Sequence, residues 1–363
     1  MPNPNAEAGT GAPAAGSSLS PAEAVKSYRG PQVRIMEVCG THTHEIFRLG
    51  IRAILPENVV LISGPGCPVC VTPTGFIDEA RFLALQRGVT VCTFGDLVRV
   101  PGSEGNLAAA RAAGARVRVV YSPLDAADYA AAHPAEEVAF LSVGFETTVP
   151  ASCLAVKRAR RENLRNFSLL TANKTMDNAY PLLAGSADAF LYPGHVSAIT
   201  GTEIYEKLAR EGISGAVAGF SANEILSAVA LILKKHAEGR PFSANCYPRV
   251  VTRAGSPAAR ALIAETMAPC DAVWRGLGNI PGSGLALAPA YAEFDARRKY
   301  AVPELPGREN PGCRCGDVLR GACRPTECPL FGKVCTPESP VGACMVSSEG
   351  TCAAYYKYSG AAL

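Results

Sequence analysis

Short apolar runs alternate with helix-forming stretches between residues 31 and 235, and this alternation constrains the fold more than any other feature. The runs fall at 33–38, 59–62, 89–93, 117–121, 138–143, 168–172, 189–192 and 216–220, bounded by glycine or proline. They are too short for buried helices and rich in Val, Ile and Leu, which marks them as strands. Helical patterns at 76–87, 107–113 and 222–236 lie between them. Strand and helix in alternation predict parallel sheets covered by helices, an α/β architecture. The number of runs predicts two such parallel-sheet α/β domains with a join near 150–166. From Pro303 glycine, proline, cysteine and charge become dense and apolar periodicity fades, as in a loop-rich region built on a metal centre. The expected organisation is a disordered leader over 1–25, α/β domains over 26–150 and 151–250, and a loop-rich C-terminal region over 251–363. The leader follows from residues 1–20, which are mostly Ala, Gly, Pro and Ser with neither a basic segment nor the apolar stretch of a signal peptide.

Composition narrows the function classes. Formal net charge is +3, from 35 basic and 32 acidic side chains, so no basic field invites nucleic acid. No apolar run approaches the ~20 residues of a membrane-spanning helix. Cysteine is the outlier, with 14 residues. Without a visible signal peptide, so many thiols point to metal binding or redox chemistry in the cytoplasm rather than to disulfide stapling. They cluster: three lie between Cys39 and Cys70 and seven between Cys313 and Cys352, with Cys92, Cys153, Cys246 and Cys270 scattered. Cys92 and Cys153 stand alone in apolar contexts and read as buried structural thiols.

The first group is built on two strand ends. One reads Met36-Glu-Val-Cys39-Gly-Thr-His42-Thr-His44, with a helix expected to begin near His44. The other reads Ser63-Gly-Pro-Gly66-Cys67-Pro-Val-Cys70. Strand, turn, helix and strand form one βαβ unit with parallel strands. Cys39 and Cys67 then lie just beyond the carboxyl ends of neighbouring strands, where open α/β sheets bind ligands. Glycines in both turns let a ligand or another backbone come close. Cys67, Cys70, Cys39 and a histidine are competent zinc ligands. The same residues also suit a thiol-redox or soft-metal site, with Cys67 and Cys70 as a redox pair, Cys39 as a separate thiolate ligand, and His42 and His44 tuning it or relaying protons.

The second group, Cys313, Cys315, Cys323, Cys328, Cys335, Cys344 and Cys352, has neither zinc-ribbon spacing nor the bacterial ferredoxin run. Seven thiols among glycines and prolines can supply four ligands to an iron–sulfur cubane; zinc and disulfides are the alternatives. Three further turns carry polar groups after apolar strands: Gly144-Phe-Glu146, Asn173-Lys174 and Tyr192-Pro-Gly194-His195. They are expected to share a carboxyl sheet edge and to face the first cysteine group across a cleft.

Five stretches in order resemble one family. They are Cys39-Gly-Thr-His-Thr-His44, Gly64-Pro-Gly-Cys-Pro-Val-Cys70, Gly144-Phe-Glu-Thr-Thr148, Pro193-Gly-His-Val-Ser197 and Met345-Val-Ser-Ser-Glu-Gly-Thr-Cys-Ala-Ala-Tyr355. The chain from about residue 26 onward is similar to the HypD family of hydrogenase maturation factors. The resemblance implies a cytoplasmic scaffold and redox factor for the Fe(CN)2CO unit of nickel–iron hydrogenase. It implies HypC as partner in the scaffold and HypE, charged by HypF, as the source of cyanide. It implies two related parallel-sheet α/β domains and a further C-terminal region holding a 4Fe–4S cluster. By this resemblance Cys39 holds the iron, Cys67 and Cys70 are the redox pair, and His42 and His44 serve the iron or its protons. Cys315, Cys328, Cys335 and Cys352 match the cluster ligands, with Cys344 in reserve. One departure is Ser221-Ala222, where the family pattern has Glu-Pro. The competing reading of the same cysteines is an iron–sulfur-dependent thiol/disulfide oxidoreductase acting on a protein client.

Overall fold

A computed structural model describes residues 19–358. The chain enters sheet A with β1 (Val33–Glu37) and β2 (Val59–Ser63), which pair in parallel with Val33 opposite Val59. It then builds all of sheet B: β3 (Thr90–Thr93), β4 (Val117–Val119), β5 (Val138–Ser142) and β6 (Phe167–Thr171). The two-residue β7 (Asn173–Lys174) follows, and the chain returns to sheet A as β8 (Ala189–Pro193), β9 (Gly215–Ala218) and β10 (Ser243–Asn245). A hairpin of β11 (Met267–Trp274) and β12 (Gly278–Leu287) pairs antiparallel with β7. Sheet A has the order β10-β9-β8-β1-β2 and sheet B the order β4-β3-β5-β6, both wholly parallel. β5 and β8 are buried along their whole length, which explains why they read as unbroken apolar runs.

All eight expected strands form, and the class is α/β with two parallel sheets. Strand membership does not divide at residue 150. β1 and β2 share a sheet with β8–β10, and the stretch 150–166 holds the helix Val149–Arg161 between adjacent strands of sheet B. The reason is that β8 docks on β1, with Glu37 opposite Leu191, a pairing no local pattern encodes. The expected leader also ends early. Pro21–Lys26 is a helix, started by a Ser20–Glu23 capping box and held by fully buried Val25. Residues 1–18 of that leader lie outside the described residues. The departure at Ser221-Ala222 is harmless to the helix Ala222–Ala237, because Ser221 and Glu224 form a capping box there. Among the described residues no helix is long and apolar enough to cross a membrane.

Of the expected loop-rich region 251–363, residues 251–302 instead hold the helix Pro257–Thr266 and the β11–β12 hairpin, whereas the part from Pro303 carries, among the described residues, only short helices such as Cys315–Leu319 and Thr351–Tyr358. It is packed into the body of the molecule. Cys315, Leu319 and Cys344 belong to the same apolar cluster as Met36, Val38, Cys67 and Cys70. The two cysteine-rich regions therefore share one core.

Candidate functional site

Four neighbouring strands of sheet A, β9, β8, β1 and β2, end side by side, and the turn after each contributes to the site. β1 delivers Cys39, whose extended backbone (φ −146°, ψ 123°) makes it the N-cap of the helix Gly40–Arg48. That helix starts at Gly40, ahead of the expected His44, because the Cys39 carbonyl accepts from the Thr43 N–H at 3.0 Å and from Thr43 Oγ1 at 3.3 Å. The earlier start separates the two histidines, since helical residues two apart do not share a face. His42 is buried, and its Nε2 lies 2.9 Å from the Gly219 carbonyl. A carbonyl only accepts, so Nε2 carries the proton, and the buried Nδ1 has no partner among the described residues. His44 turns instead to Tyr358, 3.3 Å from its hydroxyl.

β2 delivers the second thiol turn. Gly64 N–H donates to the Glu37 carbonyl at 2.8 Å and Gly40 N–H to the Gly66 carbonyl at 3.1 Å, which locks the two turns together. A Cβ on Gly66 would fall on the backbone N, Cα and C of Cys39, so only glycine allows this approach. Cys67 and Cys70 are joined by a disulfide, with Cα atoms 5.2 Å apart, and both are buried. In this state their sulfurs are bonded to each other rather than available to zinc.

β8 delivers His195 on the first turn of the helix Gly194–Thr200. Its Nε2 lies 3.8 Å from Cys39 Sγ. Phe220, after β9, stacks on His195 at 5.1 Å between ring centroids and packs against His42 at 4.8 Å with the rings tilted by 34°. The imidazole that the fold brings to Cys39 is thus His195, which the sequence marks as one of three polar turns and within the stretch Pro193–Ser197. The other two follow β5 and β6 of sheet B, and Phe145 of the first belongs to the same apolar cluster as Cys67 and Cys70. Glu146 there accepts from Met176 N–H at 3.0 Å, and burial pushes its carboxyl up to about 7.

Burial sets the protonation states around Cys39. It pushes the thiol up to about 12, with the Glu349 carboxylate adding to the effect and the His42 and Thr41 N–H groups opposing it. Burial pulls His42 down to about 4 and lowers His195. At neutral pH the site is a thiol beside neutral imidazoles. A metal that takes Cys39 must displace its proton, and His195 Nε2 is the base at hand.

The C-terminal region closes over the same helix. Glu349 packs against Gly40 and accepts from Thr41 Oγ1 at 2.8 Å. Six thiols, Cys313, Cys315, Cys328, Cys335, Cys344 and Cys352, ring a small apolar hollow. Cys315 and Cys344 are 2.9 Å apart at sulfur. Cys323 points away, into a groove along β2. Among the described residues no three His, Cys, Asp or Glu side chains converge on a point that one metal ion fills. The thiols instead surround a space, and an all-sulfur donor set in an apolar hollow suits an iron–sulfur cluster.

Arg275 stands between the two thiol regions. Its N–H donates to the Val71 carbonyl, next to Cys70, at 2.8 Å, and the side chain is 4% exposed. Its charge favours the thiolates of Cys313 and Cys315. Nothing in the local sequence marks this arginine as a site residue, and Glu349, though inside the stretch Met345–Tyr355, is tied to Cys39 only by tertiary contacts.

A family model described as "HypD: Hydrogenase formation hypA family" matches residues 19–359. The chain belongs to the HypD family. It is 43% identical over 342 residues to the hydrogenase maturation factor HypD of Cupriavidus necator, covering 91% of this chain and 90% of that protein. The HypD of Escherichia coli is 43% identical over 332 residues, with 90% and 89% covered. That of Azotobacter vinelandii is 43% identical over 339 residues, again with 90% and 89% covered. Every residue placed above in the candidate site lies within the span that the family model matches.

Proposed function

We propose that this HypD-family protein is a hydrogenase maturation factor on which the Fe(CN)2CO unit of nickel–iron hydrogenase is assembled. It acts with a HypC-type chaperone and takes cyanide from HypE, which HypF charges. The observation that carries this reading is the position of Cys39: a buried thiol at the carboxyl edge of a parallel sheet, 3.8 Å from a neutral imidazole. The iron unit is the cargo. Low-spin iron with strong π-acceptor ligands favours a soft thiolate donor, which Cys39 provides after giving its proton to His195. The Cys67–Cys70 disulfide takes two electrons and two protons to become two thiols, and the reverse step returns them. Cys315, Cys328, Cys335 and Cys352, with Cys344 in reserve, would hold a 4Fe–4S cluster. Such a cluster would supply the two electrons to the disulfide one at a time, and the shared core brings the two thiol regions together.

The test is Cys39→Ala, purified with its partner and read by infrared spectroscopy for iron-bound cyanide and carbonyl. The iron–cyanide bands should vanish while the visible absorption of the cluster stays. A Cys39→Ala protein that still carries cyanide-ligated iron would remove Cys39 from its role. The buried Cys67–Cys70 disulfide supports a second reading, a thiol/disulfide oxidoreductase acting on a client protein. That reading has no use for Cys39. It is favoured if Cys39→Ala keeps both dithiol exchange and hydrogenase maturation.

A further inference from the structure

Asn173-Lys174 is a polar turn that the assembly chemistry above does not use. Lys174 is only 2% exposed. Among the described residues its ammonium makes no hydrogen bond and no ion pair, and it lies over the face of Trp274, 5.8 Å from the ring centroid. Buried lysines are almost always paired, since a desolvated ammonium without a counter-charge is costly.

The strand register shows what lies beside it. Lys174 on β7 stands opposite Gly284 on β12, and Gly284 stands opposite Cys270 on β11. Residues directly opposite share a sheet face, so Lys174 and Cys270 flank a position with no side chain. A Cβ on Gly284 would come 2.9 Å from both Cys270 Sγ and the Ala272 Cβ, and glycine keeps this space open. A cavity of ≈ 280 Å³ lies here, walled by Lys174, Cys270, Gly284, Arg297 and the first turn of the helix Thr74–Gln86. That helix has no side-chain cap at Pro73, so its N-terminal dipole adds positive potential to the wall. The cavity also sits past the carboxyl end of β6, the edge at which parallel sheets take ligands.

The other charges at the cavity are already matched or face water. Arg297 binds Glu79 through Nε at 3.1 Å and Nη2 at 2.7 Å, and donates Nη1 to the Thr171 carbonyl at 3.0 Å. Asp271 and Glu304 are exposed, and Asp271 accepts from Gly282 N–H at 2.9 Å. Cys270 is half-buried, and burial raises its thiol, which leaves it neutral at pH 7. Lys174 is therefore the one buried charge at this cavity without a counter-ion among the described residues.

We infer that this cavity binds a small oxyanion, a carboxylate or phosphoryl group, with Lys174 as its charged anchor. Burial pulls the Lys174 ammonium down to about 8, so it is mostly protonated at neutral pH and loses its charge just above. Anion binding should weaken as pH rises through that value.

The chain has a single tryptophan, and it is the one beside Lys174. Trp274 emission of the full chain should therefore respond to titration with sodium sulfate, standing in for a phosphoryl group, and with sodium acetate. Sodium chloride at matched ionic strength is the control. A saturable response to sulfate identifies a phosphoryl-type ligand, and one to acetate identifies a carboxylate. Lys174→Met should bind at least tenfold more weakly, and Lys174→Arg should retain binding. If Lys174→Met does not fold, the wild-type protein still decides. Affinity should be at least tenfold lower at about pH 9.5 than at about pH 7. Responses to both anions that follow chloride, saturation unchanged in Lys174→Met, or a flat pH profile would each overturn the inference.

Discussion

Replacing Arg52 should cost this protein more than replacing its partner Glu37, and the cost should grow with pH. Glu37 is fully buried two residues before Cys39. Its Oε1 accepts from Ser63 Oγ at 2.6 Å and from Arg52 Nη2 at 2.9 Å, and its Oε2 has no partner among the described residues. The Arg52 side chain is 24% exposed and also donates to the Leu61 carbonyl. Its guanidinium lies over Phe47 at 4.8 Å and Tyr355 at 5.8 Å. One cation thus ties together β1, β2, the helix that Cys39 caps and the C-terminal helix. Removing one partner of a buried pair costs ~3–5 kcal/mol, because a charge is left uncompensated. Burial already pushes the Glu37 carboxyl up, with Arg52 opposing. Arg52→Met removes the opposition, so the carboxyl can neutralise by binding a proton. A carboxyl whose folded pKa is raised keeps its stability contribution below its unfolded value and loses it as pH rises through the folded value. The Arg52→Met deficit should therefore be about 3 kcal/mol at pH 7.5 and clearly smaller at pH 5. Glu37→Gln should cost only about 1 kcal/mol, since Arg52 keeps the Leu61 carbonyl and reaches water. Urea unfolding of the two variants and the double variant at both pH values gives these numbers. A deficit for Arg52→Met that is independent of pH, or smaller than that of Glu37→Gln, would refute the reasoning.

Two further outcomes follow from the same geometry. Gly66→Ala places a methyl on the backbone of Cys39, which cannot move as a side chain can, so it should cost ~3 kcal/mol, the upper part of the overpacking range. Thermal unfolding reads this, and a neutral Gly66→Ala would mean that the two turns are not in contact. Arg275→Gln removes the buried positive charge beside Cys313 and Cys315, so the midpoint potential of a cluster held there should fall by ~50 mV, the scale of one tenfold change in a one-electron couple. A potentiometric titration followed by electron paramagnetic resonance measures it, and an unchanged potential contradicts the placement of Arg275.

Much of the fold was legible because parallel strands buried on both faces leave unbroken apolar runs, as at 138–142 and 189–193. What the runs do not carry is their partner. β8 sits beside β1 although more than 150 residues separate Arg34 from Asp188, whose side chain accepts the Arg34 N–H at the start of that seam. The hairpin β11–β12 is hidden for another reason: Pro269, Pro281, Gly282 and Gly284 lie inside it, and such residues argue against a strand. At the site, Cys39, Cys67 and Cys70 stood out because glycine turns follow strand ends. His42 and His44 looked alike until the helix began at Gly40 and sent them to different neighbours. His195 carried a weak turn signal, while Glu349 and Arg275 reach the site only through long-range packing.

The proposed function requires two separate places for iron, one at Cys39 and one among the C-terminal thiols. Quantifying iron, zinc and acid-labile sulfide on protein purified without oxygen tests it most directly, with wild type and Cys39→Ala side by side. The account predicts iron and sulfide in the ratio of a cubane with little zinc, plus an excess of iron that disappears in Cys39→Ala while sulfide is unchanged. Zinc without sulfide, or an iron excess untouched by Cys39→Ala, would contradict it.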